Sequence, residues 1–398
     1  FVPLALPGER VRVARLVRRG GAWAAASVEF LHRSPERASP ACPHFGACGG
    51  CSLQHWAGEP YRAWKCGRVL AALRAAGFAD APVRPLVGVP AGSRRRMDLA
   101  VRRLDGRLRI GFHHRRSGEI EPIAACPVLA PALLRLVAAL AEPLARLDAL
   151  RREGAAVVNL LDTGPDILLR TDAALTAADR QRLAAFAERE AIARISWSCG
   201  AGAAEPAVQR GPVRLEISGV PVTPPPGAFL QAAAEGEAAI RQAVLEALPA
   251  VLAPRALLVE LFAGVGSFTF ALAQRARVLA VEGDAAAAAA LAAAARTAGL
   301  GARIAVQRRD LARQPLQAEE LAGSAAVVLD PPYAGAAAQI GEIARSAVRS
   351  VVLVNCNPAA LARDGRGLAR AGFRVEWAQP VDQFLWSAEV ESVIALRR

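Results

Sequence analysis

The sequence predicts an α/β protein whose C-terminal part is a doubly wound, Rossmann-like sheet. From about residue 229 onward, short apolar runs alternate with helical stretches, which is the order of a parallel sheet covered by helices. The runs are ALLVELFAG, RVLAVEGD, RIAVQRRD, AAVVLDPP and SVVLVNCNP. Each run ends in a glycine-rich or polar segment, and sheets of this kind bind ligands where their strands end. We therefore expect a ligand site at that edge.

The chain before this sheet is predicted to be β-rich and to form two further units. The Pro/Ser stretch SPERASPACP and the segment Pro224-Pro225-Pro226-Gly227 are strong breakers of regular structure, so we take them as boundaries. They give a β-rich piece over 1–38, a central domain over 39–223 and the doubly wound domain over 224–398. Part of 57–90 is expected to pack on the doubly wound domain.

Local signals predict the elements of the central part. An amphipathic helix is expected over about 61–76, ending at Gly77. The Asp105-Gly106 pair between two alternating runs predicts a hairpin. Further elements are expected over about 131–148 and 176–189 as helices, and over about 208–222 as a second hairpin.

Charge is concentrated in the first third of the chain. Residues 1–130 carry 21 basic and 9 acidic side chains, a net charge of +12, whereas residues 131–398 carry 28 basic and 27 acidic, a net of +1. A basic module on a near-neutral body suits nucleic acid, although a solvated arginine-rich face is the alternative. No run of eighteen apolar residues occurs, so no membrane span is expected.

The cysteines do not form the pattern of a secreted protein. Their odd number and uneven clustering argue against a disulfide framework and favour a reducing cytoplasm, where thiols bind metal or react. The seven are Cys42, Cys48, Cys51, Cys66, Cys126, Cys199 and Cys356.

A glycine-rich loop and acidic strand ends predict a nucleotide-type cofactor site. The segment ELFAGVGSF has Gly264 and Gly266, which permit a tight turn and a close approach of the backbone to a ligand. Glu282 ends the next strand, where it can accept both hydroxyls of a ribose, and Asp310 ends the third strand. The spacing differs from the three-glycine dinucleotide fingerprint and resembles class I methyltransferases, which bind S-adenosylmethionine. The alternative is that these are turn glycines and solvated acids.

Two further strand ends bring a thiol to the same edge. Asp330-Pro331-Pro332-Tyr333 follows one strand, and Cys356, in Asn355-Cys356-Asn357-Pro358, follows the next. A thiolate that adds to C6 of uracil makes C5 nucleophilic towards a sulfonium methyl group, and a base must then remove the C5 proton. In the methyltransferase sheets that the glycine loop resembles, the last strand runs antiparallel, so Glu391 at its start would be well placed as this base. The alternative for Cys356 is a buried small apolar residue.

The motifs together resemble the RNA uracil-5-methyltransferase family, in its iron–sulfur-containing 23S rRNA branch. VPLALPGERVRV resembles the end of the family's RNA-binding TRAM β-barrel, here in truncated form. GAFLQ, ELFAGVGSFTF, NCNPAALARD and DQFLWSAEVESV resemble its cofactor, nucleophile and base motifs. The resemblance implies a class I methyltransferase domain, a central β-rich iron–sulfur domain and the TRAM-like piece.

The resemblance also implies roles for individual residues. Cys356 matches the nucleophile and Glu391 the general base. S-adenosylmethionine is the implied cofactor, and its expected contacts are Gln231, Phe262, Gly264, Gly266, Ser267, Glu282, Asp310 and Asp330. Tyr333 stands where the family usually has arginine, which leaves room for a different target.

A compact cysteine cluster predicts a metal centre. Cys42, Cys48 and Cys51 lie close together in sequence, and Gly49-Gly50 between them lets the backbone wrap a ligand. Spacing alone leaves zinc and iron–sulfur open. The resemblance implies a 4Fe–4S cluster with Cys126 as the fourth ligand.

The expected partner is RNA, most simply 23S rRNA, bound by a monomer. Three arginine groups are candidates for phosphate contacts: Arg18-Arg19, Arg94-Arg95-Arg96 and Arg115-Arg116. Tyr333, Phe384 and Trp386 are candidates to stack on the target base, or to pack in the core.

Two other functions stay open. The Asp-Pro-Pro-Tyr motif at 330–333 is typical of enzymes that methylate exocyclic amino groups of bases, and such an enzyme would leave Cys356 without a role. A non-catalytic RNA-binding assembly factor that keeps the fold is the second alternative.

Overall fold

The computed structural model describes residues 2–19 and 21–398. Its helices are α1 (Gly58–Ala76), α2 (Pro131–Ala145), α3 (Ala177–Arg189), α4 (Ala234–Glu246), α5 (Thr269–Arg275), α6 (Ala285–Thr297), α7 (Ala337–Arg345) and α8 (Pro358–Arg370). Its strands are β1 (Arg10–Arg19), β2 (Ala22–His32), β3 (Val87–Gly88), β4 (Arg96–Leu104), β5 (Arg107–His113), β6 (Ile120–Pro122), β7 (Glu153–Leu161), β8 (Gly164–Thr171), β9 (Arg194–Cys199), β10 (Glu205–Gln209), β11 (Leu215–Ile217), β12 (Val220–Val222), β13 (Leu257–Leu261), β14 (Arg277–Glu282), β15 (Ile304–Arg308), β16 (Ser324–Leu329), β17 (Ser350–Asn355), β18 (Arg374–Asp382) and β19 (Glu391–Arg397).

The C-terminal sheet has eight strands in the order β15-β14-β13-β16-β17-β19-β18-β3. The first five are parallel, and β19 runs antiparallel to both β17 and β18. The predicted doubly wound sheet and its antiparallel last strand are therefore confirmed. β3 comes from the N-terminal half of the chain and pairs with β18.

Alternating side chains bury both faces of this sheet. In β16, Ala326 and Val328 enter the core under α4, α5 and α6, whereas Val327 and Leu329 enter the core under α1, α7 and α8. A strand covered on both faces reads as a continuous apolar run, which is why the sequence shows these strands so clearly. Helix α1 lies outside the doubly wound region in sequence. Val69 and the rest of its apolar face nevertheless complete the core that α1 shares with α7 and α8.

The central sheet has seven strands in the order β10-β9-β8-β7-β4-β5-β6. Helices α2 and α3 cover one face, with Leu133 and Phe186 in the shared core. The predicted hairpin joins β4 and β5, and its turn residues Asp105 and Gly106 have φ values of 49° and 74°. Helix α1 ends where the sequence indicates, because Gly77 adopts a φ of 105° and its N–H bonds the last turn.

The hairpin of β11 and β12 packs with the C-terminal sheet although it precedes the proline segment. Ile217 and Val222 belong to the core under α4, α5 and α6. A proline run shows where regular structure breaks, but it does not show which core the preceding strands enter. In the described residues, no helix combines the length and apolarity needed to cross a bilayer.

A buried ion pair fastens the proline segment to the central sheet. Arg194 makes two hydrogen bonds of 2.7 Å to Asp166, and its third donor bonds the Pro224 carbonyl oxygen at 2.8 Å. Both side chains are nearly inaccessible. Because all these polar groups are buried, each depends on its partner.

We expect Arg194→Met to lower the free energy of unfolding by about 3–5 kcal/mol, because it leaves Asp166 buried without its partner. Urea denaturation followed by circular dichroism measures the loss. Arg12→Met removes the exposed Arg12–Glu29 pair and serves as control, with an expected loss of about 0–1 kcal/mol. Equal losses in the two variants would contradict the assignment.

Candidate active site

The polar strand ends meet at one edge of the C-terminal sheet. The parallel strands β13 to β17 share this edge at their carboxyl ends. The glycine loop follows β13, and Glu282, Asp310, Asp330 and Cys356 end or follow the other four strands. Since β19 is antiparallel to β17, its first residue, Glu391, lies at the same edge. The fold therefore gathers residues far apart in sequence.

The glycine loop after β13 has an unusual backbone. Phe262, Gly264 and Gly266 have φ values of 62°, 57° and 102°, in the region that favours glycine. A Cβ atom on Gly266 would lie 2.7 Å from side-chain atoms of Phe270 and Leu291, so only glycine fits there. Ser267 is half-buried in the same loop. The loop thus turns sharply and leaves backbone groups facing the strand ends.

Glu282 links the glycine loop to the next strand end. Its carboxylate accepts hydrogen bonds of 2.7 Å from the backbone N–H groups of Gly264 and Asp284. A carboxylate has about four acceptor positions, so both oxygens can still accept hydroxyls of a ribose. Asp310 is exposed beside this corner, where its backbone packs against Gly283.

A chain of hydrogen bonds joins two carboxyl groups through two amides. Gln231 Nε2 donates to Asp330 Oδ2 at 3.0 Å, and Gln383 Nε2 donates to Gln231 Oε1 at 2.6 Å. Gln383 Nε2 also donates to Glu391 Oε2 at 2.9 Å. Gln231, Gln383 and Glu391 are all buried. The expected cofactor contacts Gln231 and Asp330 are thus connected to Glu391.

Burial and neighbouring carboxylates raise the proton affinity of the acidic groups and of the thiol. Burial, reinforced by the charges of Glu391 and Asp330, raises the pKa of the half-buried Cys356 thiol to about 12. Burial and the charge of Asp330 also hold the pKa of Glu391 above its ordinary value. Burial raises the pKa of Asp330 as well. The site therefore favours a protonated thiol over a permanently ionised thiolate.

Lys65, which belongs to no motif of the sequence, holds the loop that leads to Glu391. Its fully buried Nζ donates to Asp382 Oδ1 at 2.6 Å and to the carbonyl oxygens of Phe384 and Glu389 at 3.1 and 2.5 Å. These three acceptors match the three N–H bonds of an ammonium group. Lys65 is the only lysine in an arginine-rich chain, and this was the signal available in the sequence.

Four cysteines line one cavity beside this loop. Cys42, Cys48, Cys51 and Cys126 surround a space of about 380 Å³, whereas Cys199 is exposed elsewhere. Burial, with smaller contributions from the neighbouring thiols, raises the pKa of Cys51 to about 11. Across residues 2–19 and 21–398, no three His, Cys, Asp or Glu side chains are grouped as a single metal ion would require.

The cysteine loop is tied to the strands and loops around it. Gly49 N donates to the His113 carbonyl oxygen at 2.9 Å, and a Cβ on Gly49 would lie only 2.7 Å from that oxygen. Ser52 N and Leu53 N donate to the Trp386 carbonyl oxygen at 2.7 and 2.9 Å. The cavity therefore borders the same loop that precedes Glu391.

The candidate RNA contacts differ in exposure. The prediction that Arg95 meets phosphate is wrong, because its side chain is buried, pairs with Glu237 at 2.8 Å and bonds the Gln231 carbonyl oxygen. Arg115 and Arg116 are exposed. Arg18 is also exposed, while the side chain of Arg19 lies outside the described part.

The three candidate stacking residues also differ in exposure and packing. Tyr333 is 59% exposed, and its hydroxyl lies 3.4 Å from Glu389 Oε1 at the active-site edge. Trp386 packs in a small cluster with Trp56 and Tyr61, and Phe384 lines the cysteine cavity. Of the three, Tyr333 has the exposure that contact with a base requires.

Comparison with known proteins gives relatives over the full chain. A family described as conserved hypothetical protein 95 matches residues 236–358. An uncharacterized RNA methyltransferase of Brucella suis is 41% identical over 100% of this chain and 92% of its own length. The 23S rRNA (uracil(1939)-C(5))-methyltransferase RlmD of Chromohalobacter salexigens is 36% identical over 100% of this chain and 84% of its own.

A solved structure shares the fold. The tRNA (uracil-54, C5)-methyltransferase of Pyrococcus abyssi, in complex with S-adenosyl-L-homocysteine, superimposes with a TM-score of 0.73. The match covers 99% of this chain and 94% of that one, at 20% sequence identity.

The sheet topology, with its polar strand ends at one edge, is that of the class I methyltransferase fold. With full-length relatives of this kind, the chain belongs to the RNA uracil-5-methyltransferase family. The resemblance drawn from the sequence motifs is thereby confirmed.

We expect Gly266→Ala to weaken cofactor binding by about tenfold or more, because the added methyl group forces the loop away from Phe270 and Leu291. Calorimetric titration with S-adenosylhomocysteine measures the affinity. Gly299→Ala is the control, because Gly299 has a φ of 70° but open space around it. Unchanged affinity in Gly266→Ala would contradict the role given to this loop.

Proposed function

We propose that this enzyme transfers a methyl group from S-adenosylmethionine to C5 of a uridine in 23S rRNA, giving 5-methyluridine through a covalent adduct of Cys356 with C6. The observation that carries the proposal is the meeting of one thiol and one buried carboxyl group, Glu391, at the cofactor edge. The name of the Chromohalobacter relative supports 23S rRNA as the substrate. Such a substrate also indicates the cytoplasm.

The reaction needs each of these groups in turn. The Cys356 thiol loses its proton to water or a nearby carboxylate as its sulfur bonds C6, and the electron pair moves onto the uracil ring. C5 then attacks the sulfonium methyl group, so that the bond from sulfur to the methyl carbon breaks and S-adenosylhomocysteine leaves. Glu391 removes the C5 proton, and the returning electron pair expels the thiolate from C6. A base within folded RNA must leave its stack to reach Cys356, and the exposed Tyr333 is placed to contact it.

The cofactor is assigned to the residues along the strand ends. Glu282 would bind the ribose hydroxyls, and the loop with Phe262, Gly264, Gly266 and Ser267 would contact the cofactor. Gln231, Asp310 and Asp330 complete the contacts. The support is their common location at the carboxyl edge of a parallel sheet, where ligands of such sheets bind.

We also propose that Cys42, Cys48, Cys51 and Cys126 bind a 4Fe–4S cluster. A single zinc ion needs its thiolates at about 2.3 Å from one centre. The support for a larger group is that the four thiols line one cavity of about 380 Å³, together with residues of several other segments. Such a cluster supplies a cross-link between chain segments, since methyl transfer itself involves no net oxidation or reduction.

The domain organisation follows from these assignments. Residues 1–38 form a TRAM-like RNA-binding piece, 39–223 the iron–sulfur domain and 224–398 the methyltransferase domain. Part of 57–90 and the β11–β12 hairpin of the iron–sulfur domain pack on the methyltransferase core. The exposed arginines of the β1–β2 hairpin, including Arg12 and Arg18, support a role in binding phosphates.

We expect 23S rRNA substituted with 5-fluorouridine to trap the enzyme as a denaturant-resistant complex when S-adenosylmethionine is present. Fluorine at C5 cannot leave as a proton, so elimination stalls. Denaturing gel electrophoresis detects the complex, which Cys356→Ala abolishes.

Cys199→Ala is the matched control and keeps the complex, because Cys199 is exposed away from the site. Glu391→Gln accumulates adduct even with ordinary uridine, since the C5 proton stays in place. Methyl transfer that survives Cys356→Ala, with no adduct, would instead establish the amino-group methyltransferase that the 330–333 motif suggests.

We expect protein purified without oxygen to contain about four iron and four sulfide per chain. Elemental and sulfide analysis measures this content. Cys48→Ser loses most of the iron, whereas Cys199→Ser keeps it. A content of about one zinc and no iron per chain would contradict the cluster and would establish a zinc site instead.

A further inference from the structure

Gln383 is a buried amide that satisfies its hydrogen bonds entirely within the site. Its Nε2 donates to Gln231 Oε1 at 2.6 Å and to Glu391 Oε2 at 2.9 Å, while its Oε1 accepts from Ala232 N at 3.1 Å. The side chain is 2% exposed. Rotating the amide by 180° would turn its oxygen towards the Glu391 carboxylate, so this network determines one orientation.

Helix α4 presses directly on this side chain at a glycine. A Cβ atom on Gly236 would lie 2.7 Å from Gln383 Cβ and 3.0 Å from Gln383 Oε1. Glycine in a helix costs about 0.5–1 kcal/mol relative to alanine. Helix α4 therefore has glycine, a weak helix former, at a position where a larger residue would displace Gln383.

We propose that Gln383 is a positioning residue that holds the Glu391 carboxylate in its reactive orientation and couples it to Gln231 on the cofactor side. The inference deepens the proposed function, because it assumes that Glu391 removes the C5 proton. Gln383 itself touches no reacting atom and acts through its two partners.

The amide has a definite electrostatic effect on Glu391. A hydrogen bond donated to a carboxylate stabilises the ionised form, and it opposes the burial that raises the pKa of Glu391. Loss of this bond therefore raises that pKa further, so a larger share of the base is protonated and inactive at neutral pH. The other titratable groups around the site are Asp330, Cys356 and Glu389, with Glu237 acting on Asp330 from α4.

The test compares the pH dependence of methyl transfer in single turnovers. Gln383→Met keeps the length of the side chain and removes both donors. We expect the rising limb of the rate–pH profile of this variant to lie about one pH unit higher than that of the wild type. On the acidic side this shift is about a tenfold loss of rate, and the rate recovers at high pH. Gly236→Ala should shift the limb in the same direction, because it displaces an intact Gln383.

Gly341→Ala is the matched control, a helical glycine in α7 with no atom near its added Cβ, and should leave the profile unchanged. An equal fractional loss of rate at every pH in Gln383→Met would mean a merely structural role and would overturn the inference. A wild-type profile in Gln383→Met would overturn it as well.

Trapping with 5-fluorouridine RNA separates this inference from the proposed function. The trapped complex forms before proton removal, so Gln383→Met should still form it while its turnover on ordinary RNA falls. If the wild type forms no complex, the proposed function fails. If the wild type forms it and the two variants keep the wild-type pH profile, only the role of Gln383 fails.

Discussion

The buried contact between Lys65 and Asp382 joins the N-terminal half of the chain to the reaction centre. An ammonium group taken out of water is costly, and burial alone lowers the pKa of Lys65. One carboxylate at the end of β18 and two carbonyl oxygens in the loop between β18 and β19 offset that cost. Tyr61 adds a hydrogen bond of 2.6 Å to the same carboxylate. Helix α1 thus holds the loop that leads to Glu391, the first residue of β19.

The reaction centre collects negative charge in a place with little water. Asp330 and Glu391 raise the pKa of Cys356, and Asp330 raises the pKa of Glu391. Under the proposed function, a sulfonium cation at the same edge would stabilise the ionised forms, because an opposite charge at short range favours them. Binding of the cofactor and ionisation of Glu391 would then support each other, and the amides of Gln231 and Gln383 connect the two places.

The cysteine cavity and the active site share one loop. Phe384 and Glu389 line the cavity, and the Trp386 carbonyl oxygen accepts two backbone hydrogen bonds from the cysteine-bearing segment. The next residues along the chain lead to Glu391. Under the proposed function, a cluster held by the four cysteines would therefore support the position of Glu391 through this loop.

The sequence by itself determined the strands, the hairpin at Asp105-Gly106 and the position of Cys356 at a strand end. These features depend on local periodicity, turn chemistry and strand order, which neighbouring residues encode. Only the tertiary structure decided that Arg95 is buried against Glu237, that Lys65 bonds Asp382 and that Gln383 bonds Glu391. Lys65 and Asp382 are 317 positions apart, and Gln231 and Gln383 are 152 apart. No local pattern encodes such contacts, because they exist only once the chain has folded.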